Sequence, residues 1–460
     1  MGQNQNSQGK TIRLAGGTAG KTLRITKTPL GKGKQGAVYG KQGRGNASRQ
    51  AVKIFHTCSK DAETCIKKLT TVKFPKNMPV CYPKKWFRTE DGRFGYVMDM
   101  KKEGFVEYKD LLRILSEQGS GSKDLPGLLI LCRIAYGLAE IVDQIHEMGW
   151  VFPDLSENNF AFHPRTGLVM LFDADNLREA AEAAAGNVAI RGTYGSMAPE
   201  LVLGQAYPNA NSDNFALASV IFQMFFHHYP YDGKAMLEEI NDAEYYQKYH
   251  GIDPVFVFSH SRQSRALPNN GYGKDLWDVW EHVIPLELKG MFCRTFEAGA
   301  KRPEKRPTAK EWMALFSKLA RQVAYCPECR HEMFVEGDFF PCPICKKKSR
   351  ISHIFVYTKE SVYRFPFYKN QEISPFEIGD GSDKKAVFAF HEGIRPIAKL
   401  AESSGKPYLV NLDPRGKTWT CTYGPIEQAM EYGDGNLFAK NACVRIPMRQ
   451  GQWMIRLEGD

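Results

Sequence analysis

Apolar positions along the chain change period several times, and each change predicts an element. Leu23-Arg-Ile-Thr-Lys-Thr-Pro-Leu alternates apolar with polar residues, the period of a strand with one buried face. It runs into Gly31-Lys32-Gly33-Lys34-Gln35-Gly36-Ala37-Val38-Tyr39, and after a Gly-rich turn Ala51-Val52-Lys53-Ile54-Phe55 is again β-prone. Residues Asp61 to Leu69 suit a helix, which Pro75 and Pro79 cut short. Phe94 to Met100 reads as a strand feeding a connector. From Leu131 the period lengthens: Leu131, Ile134, Leu138, Ile141 and Ile145 recur in steps of three and four, one buried helical face that Gly149 is placed to end.

The run Leu168-Val169-Met170-Leu171-Phe172 is the pattern of a buried strand. Arg178 to Ala185 is Ala-rich and offers a short helix or a mobile segment. Ser212 to Phe226 is apolar nearly all round, which places that helix in a protein interior. Beyond residue 350 the chain turns to short β segments with frequent turns: Ile354–Tyr357, Val387–Phe390, Tyr408–Leu412 and Trp453–Leu457. A β-sandwich is expected there. Met1 to Gly20 is polar and predicts disorder or a leading strand.

At 460 residues the chain has room for about three domains. No early segment has the apolar run of a signal peptide, and no run reaches the roughly 18 uncharged apolar residues of a membrane helix. A cytoplasmic protein is expected. The net charge of +11 raises the question of nucleic acid, but Lys and Arg are scattered rather than blocked, so neither a nucleic-acid nor a membrane partner is expected. Of eleven cysteines, four fall in two Cys-x-x-Cys pairs, a pattern of a reducing compartment with one metal site.

The chemistry gathers between Gly149 and Asp175. Asp154 lies five residues before Asn159, and Asp173 follows the apolar run, so two acids and an amide are delivered together. Phosphoryl transfer from Mg-ATP needs that set: a carboxylate to orient and deprotonate a hydroxyl, and a carboxylate plus an amide oxygen for metal. Gly31, Gly33 and Gly36 sit between two strands rather than at the mouth of a helix, as a phosphate lid does. Lys53, the one charge in an apolar pentapeptide, requires an anionic partner: an ATP phosphate, or Glu63 on the next helix.

With Gly192-Thr193-Tyr194-Gly195-Ser196-Met197-Ala198-Pro199-Glu200, Asp213 and Arg306 added in order, residues 20 to 320 resemble the eukaryotic-like protein-kinase superfamily. The resemblance implies an α+β, bilobal kinase fold, with an N-lobe over 21–101 and a C-lobe over 102–322. It implies ATP held by Gly31, Gly33, Gly36, Val38, Lys53 and Glu63, with the adenine edge on the connector at Asp99 and Met100. Mg2+ would sit on Asn159 and Asp173, Asp154 would orient the nucleophile, Glu200 would pair with Arg306, and Asp213 would cap its helix and accept main-chain donors of the catalytic loop. Asp173-Ala174-Asp175 and Asp213-Asn214-Phe215-Ala216-Leu217 are similar to a bacterial branch of tellurite-resistance and stress operons. That branch implies two partners, a von Willebrand A-like protein and a metal-dependent Ser/Thr phosphatase.

Five positions depart from the pattern, two of them being Phe152 in place of a histidine and Ser196 where an aromatic is usual. Ser156 replaces the lysine that steadies the transferring phosphate, which predicts a slow enzyme unless Lys32, Lys34 or Arg191 substitutes. Pro153 replaces the arginine that binds a phosphorylated activation segment, so control through such a phosphate is not expected. Asp175 replaces a glycine and adds a carboxylate near the metal.

Cys326-Pro-Glu-Cys329 and Cys342-Pro-Ile-Cys345 stand twelve residues apart and predict a closed structural Zn2+ site over 323–350, with His331 left over. In the last region, 351–460, Asn411 to Trp419 resembles a stretch of forkhead-associated domains. The phosphothreonine-reading arginine is missing, because Ile378-Gly379 is followed by Asp380. Partner docking is therefore expected in place of phosphopeptide binding. The leading expectation is an ATP- and Mg-dependent kinase for Ser/Thr of a protein substrate, Thr193 favouring those hydroxyls. The alternatives are a pseudokinase scaffold that binds nucleotide and assembles partners through its C-terminal domain, and a kinase for a small molecule.

Overall fold

The computed structural model describes residues 9–43, 49–75, 78–111, 113, 126–186, 192–234, 241–263, 266–268, 270–337, 339–359, 361–368, 370–378, 396–404, 406–439, 442–448 and 451–458. Arg191, Val387–Phe390 and the Gly379-Asp380 pair lie outside them.

The first layer is a seven-stranded sheet of β1 (Gly9–Gly17), β2 (Thr22–Thr26), β3 (Gly31–Lys32), β4 (Gly36–Gly40), β5 (Gln50–Phe55), β6 (Lys85–Thr89) and β7 (Phe94–Asp99). Its spatial order is β2-β1-β6-β7-β5-β4-β3. Of the two expectations for the leading residues, the strand is realised over Gly9–Gly17. The alternation around Leu23 and Ile25 buries both side chains against Val52, Ile54, Phe87 and Val97. Helix α1 (Lys60–Leu69) begins where Ser59 accepts the N–H of Ala62 at 3.1 Å. After it, the chain crosses to the second layer through a short parallel bridge: Cys81 N–H donates to the Leu171 carbonyl and Leu171 N–H to the Pro79 carbonyl, each at 2.9 Å.

The second layer is helical. The predicted stripe Leu131, Ile134, Leu138, Ile141 and Ile145 lies on α2 (Leu128–Glu147), every member at most 8% exposed. It packs with α3 (Ala210–Phe226), apolar on all sides as read, and α4 (Ala309–Gln322) in one continuous core. The expected cap of α3 is corrected: Asn209, not Asp213, accepts the first-turn N–H groups, in a capping box with Ser212. Asp213 stands one turn further in and is left for other work. Of the segment Arg178–Ala185, residues Ala180–Ala184 are helical.

Helix α4 continues directly into two short hairpins, Val323–Tyr325 with Glu332–Phe334 and Phe339–Pro341 with Lys348–Arg350. Beyond them a six-stranded and a four-stranded antiparallel sheet share one core. Ile354, Val356, Trp419, Val444 and Ile455 from the first sheet meet Ile373, Ala398, Leu400 and Leu409 from the second. This unit is tied to the helical layer by a buried ion pair. Arg133 of α2, 3% exposed, donates to Glu377 Oε1 at 3.2 Å, and Arg321 of α4 donates to the Glu377 carbonyl at 2.6 Å. In the Asn411–Trp419 stretch, Asn411 donates to the carbonyls of Lys417 and Met430, and Asp413 holds Arg415. These bonds lock a turn.

Candidate active site

Gly149 closes α2 at φ +78°, a conformation that favours glycine, with its N–H on the His146 carbonyl at 3.0 Å. The chain then turns through Phe152–Asn159. Asp213 Oδ2 accepts the Phe152 N–H at 2.7 Å and the His146 ring nitrogen at 2.9 Å, which anchors the start of this loop to α3. The antiparallel hairpin Phe160–Phe162 with Val169–Leu171 places Asn159 opposite Phe172, whose N–H reaches the Asn159 carbonyl at 2.8 Å. Asp173 follows at φ +47°, a left-handed conformation that Asp tolerates better than most side chains.

Asp154 is held by three donors. Thr193 Oγ1 donates to Oδ1 at 2.5 Å, while the amides of Asn159 and Asn176 donate to Oδ2, each at 3.1 Å. Burial raises the pKa of its carboxyl; the bonds from Thr193 and Asn159 oppose that rise, and the charges of Asp173 and Asp175 add to it. Asn176 is a contributor that sequence reasoning missed. Its signal is modest, an amide directly after the acidic pair that ends a buried strand.

Lys53, 5% exposed, reaches Asp173 Oδ1 at 3.2 Å and Asp175 at 3.2 and 2.9 Å. Burial works against its charge, but the two carboxylates outweigh it and its pKa is raised. The expected pairing with Glu63 is corrected. Glu63 Oε1 takes Lys67 at 2.6 Å and Oε2 takes Arg88, so both oxygens are occupied. The reason is local: Lys67 stands one turn along the same helix, and Arg88 on β6 competes for the remaining oxygen.

The glycine turn lies over the same edge of the sheet. A side chain at Gly36 would come within 2.3 Å of the Ile54 carbonyl, so the close approach of β4 to β5 requires glycine there, whereas Gly31 and Gly33 face open space. Val38 is the register partner of Lys53. Val38 packs against Ala51, Met98, Ala161 and Met170 in one buried apolar cluster drawn from both layers. On the connector, the Asp99 carboxylate pairs with Lys84 at 2.5 Å, and the Met100 N–H is committed to the Arg49 carbonyl at 2.9 Å. Any adenine contact by Met100 therefore falls to its carbonyl. Ser156 is buried and its hydroxyl has no partner among the described residues; Lys32 and Lys34 are exposed on the glycine turn.

Glu200 and Arg306 form a two-pronged ion pair, both bonds 2.7 Å, with Arg306 also donating to the Gly299 carbonyl. Away from this site, the sulfurs of Cys326, Cys329, Cys342 and Cys345 all lie within 4.8 Å of one another. The pairs Cys326–Cys345 at 3.8 Å and Cys329–Cys342 at 3.5 Å bracket the ~3.8 Å edge of a thiolate tetrahedron around zinc. Both knuckles repeat one turn: Arg330 N–H bonds the Cys326 carbonyl and Lys346 N–H the Cys342 carbonyl, each at 3.0 Å, with Arg330 and Lys346 in left-handed conformations. His331 is exposed.

Among the described residues no helix is long and apolar enough to cross a membrane. The chain is similar to Protein kinase YegI of Escherichia coli O157:H7, 27% identical over 224 residues, and to Protein kinase YegI of Escherichia coli strain K12, 26% identical over 224 residues. In both cases the match covers 47% of this chain and 32% of the relative, so the chain spans about a third of the length of the curated relatives it matches. The protein kinase domain family model matches residues 25–315, which takes in the glycine turn, Lys53, the Asp154 loop, Asp173, Glu200 and Arg306. The chain belongs to the protein kinase domain family.

Proposed function

We propose that the chain transfers the γ-phosphoryl group of Mg-ATP to serine or threonine hydroxyls of a protein substrate. The observation that carries this reading is the three-donor cradle around Asp154, one loop away from Lys53 and Asp173. An acceptor hydroxyl bound at Asp154 gives its proton to the carboxylate as its oxygen bonds the γ-phosphorus, and the bond from that phosphorus to the β–γ bridging oxygen breaks. Thr193, Asn159 and Asn176 keep the carboxylate from rotating, so the proton leaves along a fixed line. Lys53 binds phosphate oxygens. Asp173, its side chain 46% exposed, and the Asn159 amide oxygen supply the hard oxygen donors that suit Mg2+. When bound, the ion neutralises charge on the phosphates.

The four cysteines hold Zn2+ in a closed site with a structural role, supported by their sulfur spacing. Placement in a bacterial stress branch, with von Willebrand A-like and phosphatase partners, is supported by the resemblance of the short helix after Lys53, the Asp173–Asp175 triplet and the Asp213–Leu217 run, and placement in the cytoplasm by the lack of long apolar runs in the sequence. Incubation with radiolabelled ATP and a protein mixture, followed by acid hydrolysis, tests the acceptor. Labelled phosphoserine or phosphothreonine is expected; label only in phosphotyrosine, or only in a small metabolite, overturns the Ser/Thr protein assignment.

A further inference from the structure

A lysine that is 5% exposed needs a carboxylate partner to remain charged and fixed, and the sequence offers Glu63, Asp173 and Asp175 for that role. Glu63 is already spent on Lys67 and Arg88. Asp175 is 3% exposed and offers both oxygens to Lys53 Nζ, at 3.2 and 2.9 Å. Its own backbone is fixed in turn. It sits in the 3-10 turn Ala174–Asn176, closed by the Asn176 N–H on the Asp173 carbonyl at 3.0 Å, and its carbonyl accepts Arg178 Nη1 at 2.8 Å. Arg178 is itself buried and also donates to the Leu177 carbonyl at 2.8 Å.

The two acids of the triplet both reach Lys53 but differ in exposure. Asp173 presents a side chain that is 46% exposed, as a group that meets a ligand must, whereas the Asp175 side chain is 3% exposed and meets Lys53. Were Asp173 the lysine's sole partner, the same carboxylate would have to hold both the lysine and a metal. With Asp175 holding Lys53 through both of its oxygens, Asp173 shares the lysine through Oδ1 alone.

We infer that Asp175, not Glu63, is the positioning residue that fixes Lys53 for the phosphates of the nucleotide, an inference that rests on the kinase reading above. The lysine's partner is thus carried by the same turn as the metal-holding carboxylate, and α1 packs on that turn through Cys65, whose Sγ bonds the Leu177 carbonyl at 3.1 Å and Arg178 at 3.3 Å.

The test is a double-mutant cycle on the full chain, read as Mg-ATP affinity and as the separate KM for ATP and kcat. Asp175→Asn is expected to weaken Mg-ATP binding at least tenfold and to raise the KM for ATP by a similar factor. Lys53→Met does the same, and the double variant is no worse than either single one, because both remove one interaction. Glu63→Gln stays within threefold of the native chain. Asp175→Asn binding Mg-ATP as the native chain does, additive losses in the double variant, or a Glu63→Gln loss as large as that of Asp175→Asn overturns the inference and leaves the kinase reading standing. Loss of Mg2+ activation with unchanged nucleotide affinity does so too, since it makes Asp175 a metal ligand. A native chain that binds no Mg-ATP defeats the kinase reading itself and this inference with it. Should Asp175→Asn fail to fold, a structure of the native chain with Mg2+ and a non-hydrolysable ATP analogue decides: Lys53 Nζ within 3.5 Å of Asp175 is expected, and Lys53 moved onto Glu63 is the contrary result.

Discussion

The hydroxyl of Thr193 donates to Asp154 Oδ1 at 2.5 Å, joining two loops that lie 39 residues apart in sequence. That bond fixes one oxygen of the carboxylate while the Asn159 and Asn176 amides fix the other. Removing it leaves the nucleotide site untouched and loosens the group that faces the acceptor. Thr193→Val is expected to lower kcat by about tenfold with the KM for ATP unchanged, and Thr193→Ser to retain most of the rate. Steady-state kinetics on the two variants checks this; a Thr193→Val enzyme with native kcat contradicts it.

The ion pair of Glu200 with Arg306 is structural. Arg306's side chain is fully buried and Glu200's is 14% exposed, and the guanidinium also caps the Gly299 and Asn211 carbonyls. Breaking a buried pair from one side leaves a charge without compensation, at a cost of about 3–5 kcal/mol. Glu200→Gln is therefore expected to lower the denaturation midpoint clearly, read by urea titration. A variant as stable as the native chain would place the pair outside the core.

Glu140, on α2, carries a carboxyl that burial, and secondarily Asp143, push up to about 7. Its folded pKa lies above the unfolded one. The associated stability is therefore complete below about pH 4.3 and is lost as pH rises through 7, where the buried charge must form. Glu140→Gln removes that penalty. It is expected to stabilise the chain by about 2–3 kcal/mol at pH 8, with the gain shrinking as pH falls towards 5. Denaturation midpoints of both chains across pH 5–8 measure it, and an equal difference at every pH argues against it.

Metal removal separates the two proposed metal sites. Because a closed thiolate site couples binding to folding, one zinc per chain is expected by elemental analysis. A strong chelator or Cys342→Ser should unravel the Val323–Tyr325 and Phe339–Pro341 hairpins and lower the melting temperature by several degrees. Magnesium withdrawal should stop phosphoryl transfer and leave that temperature nearly unchanged. Zinc-free protein with the native melting curve is the contrary outcome.

Much of this architecture is legible in residue order. The steps of three and four from Leu131 to Ile145 and the all-apolar face of Phe215 to Phe226 fix their helices, because burial demands those periods. Asp154, Asn159 and Asp173 are legible for a different reason: a loop and a hairpin of fixed length set their spacing, while Lys53 is legible as the one charge in an apolar strand. Partner choice is not legible. Glu63 stands at a plausible distance from Lys53 in sequence, yet Arg88, 25 residues further on, captures it through sheet register that no local pattern encodes. The capping of α3 by Asn209 in place of Asp213 fails for a similar reason, since two polar residues within one turn both suit a cap and only the packed loop decides. The strands of the last region lack a strong period; their pairing joins β segments up to a hundred residues apart, as His353–Tyr357 does with Gly451–Glu458.

In the proposed reaction Asp154 acts on an acceptor hydroxyl and Asp173 on a bound nucleotide. Transfer of label from γ-radiolabelled ATP, compared between the native chain and its Asp154→Ala and Asp173→Ala variants under equal folding by circular dichroism, tests it most directly. Transfer by the native chain and a loss of at least a hundredfold in each variant are expected, with Asp154→Ala still binding Mg-ATP. Label that survives both substitutions, or a native chain that transfers none to any protein, contradicts it.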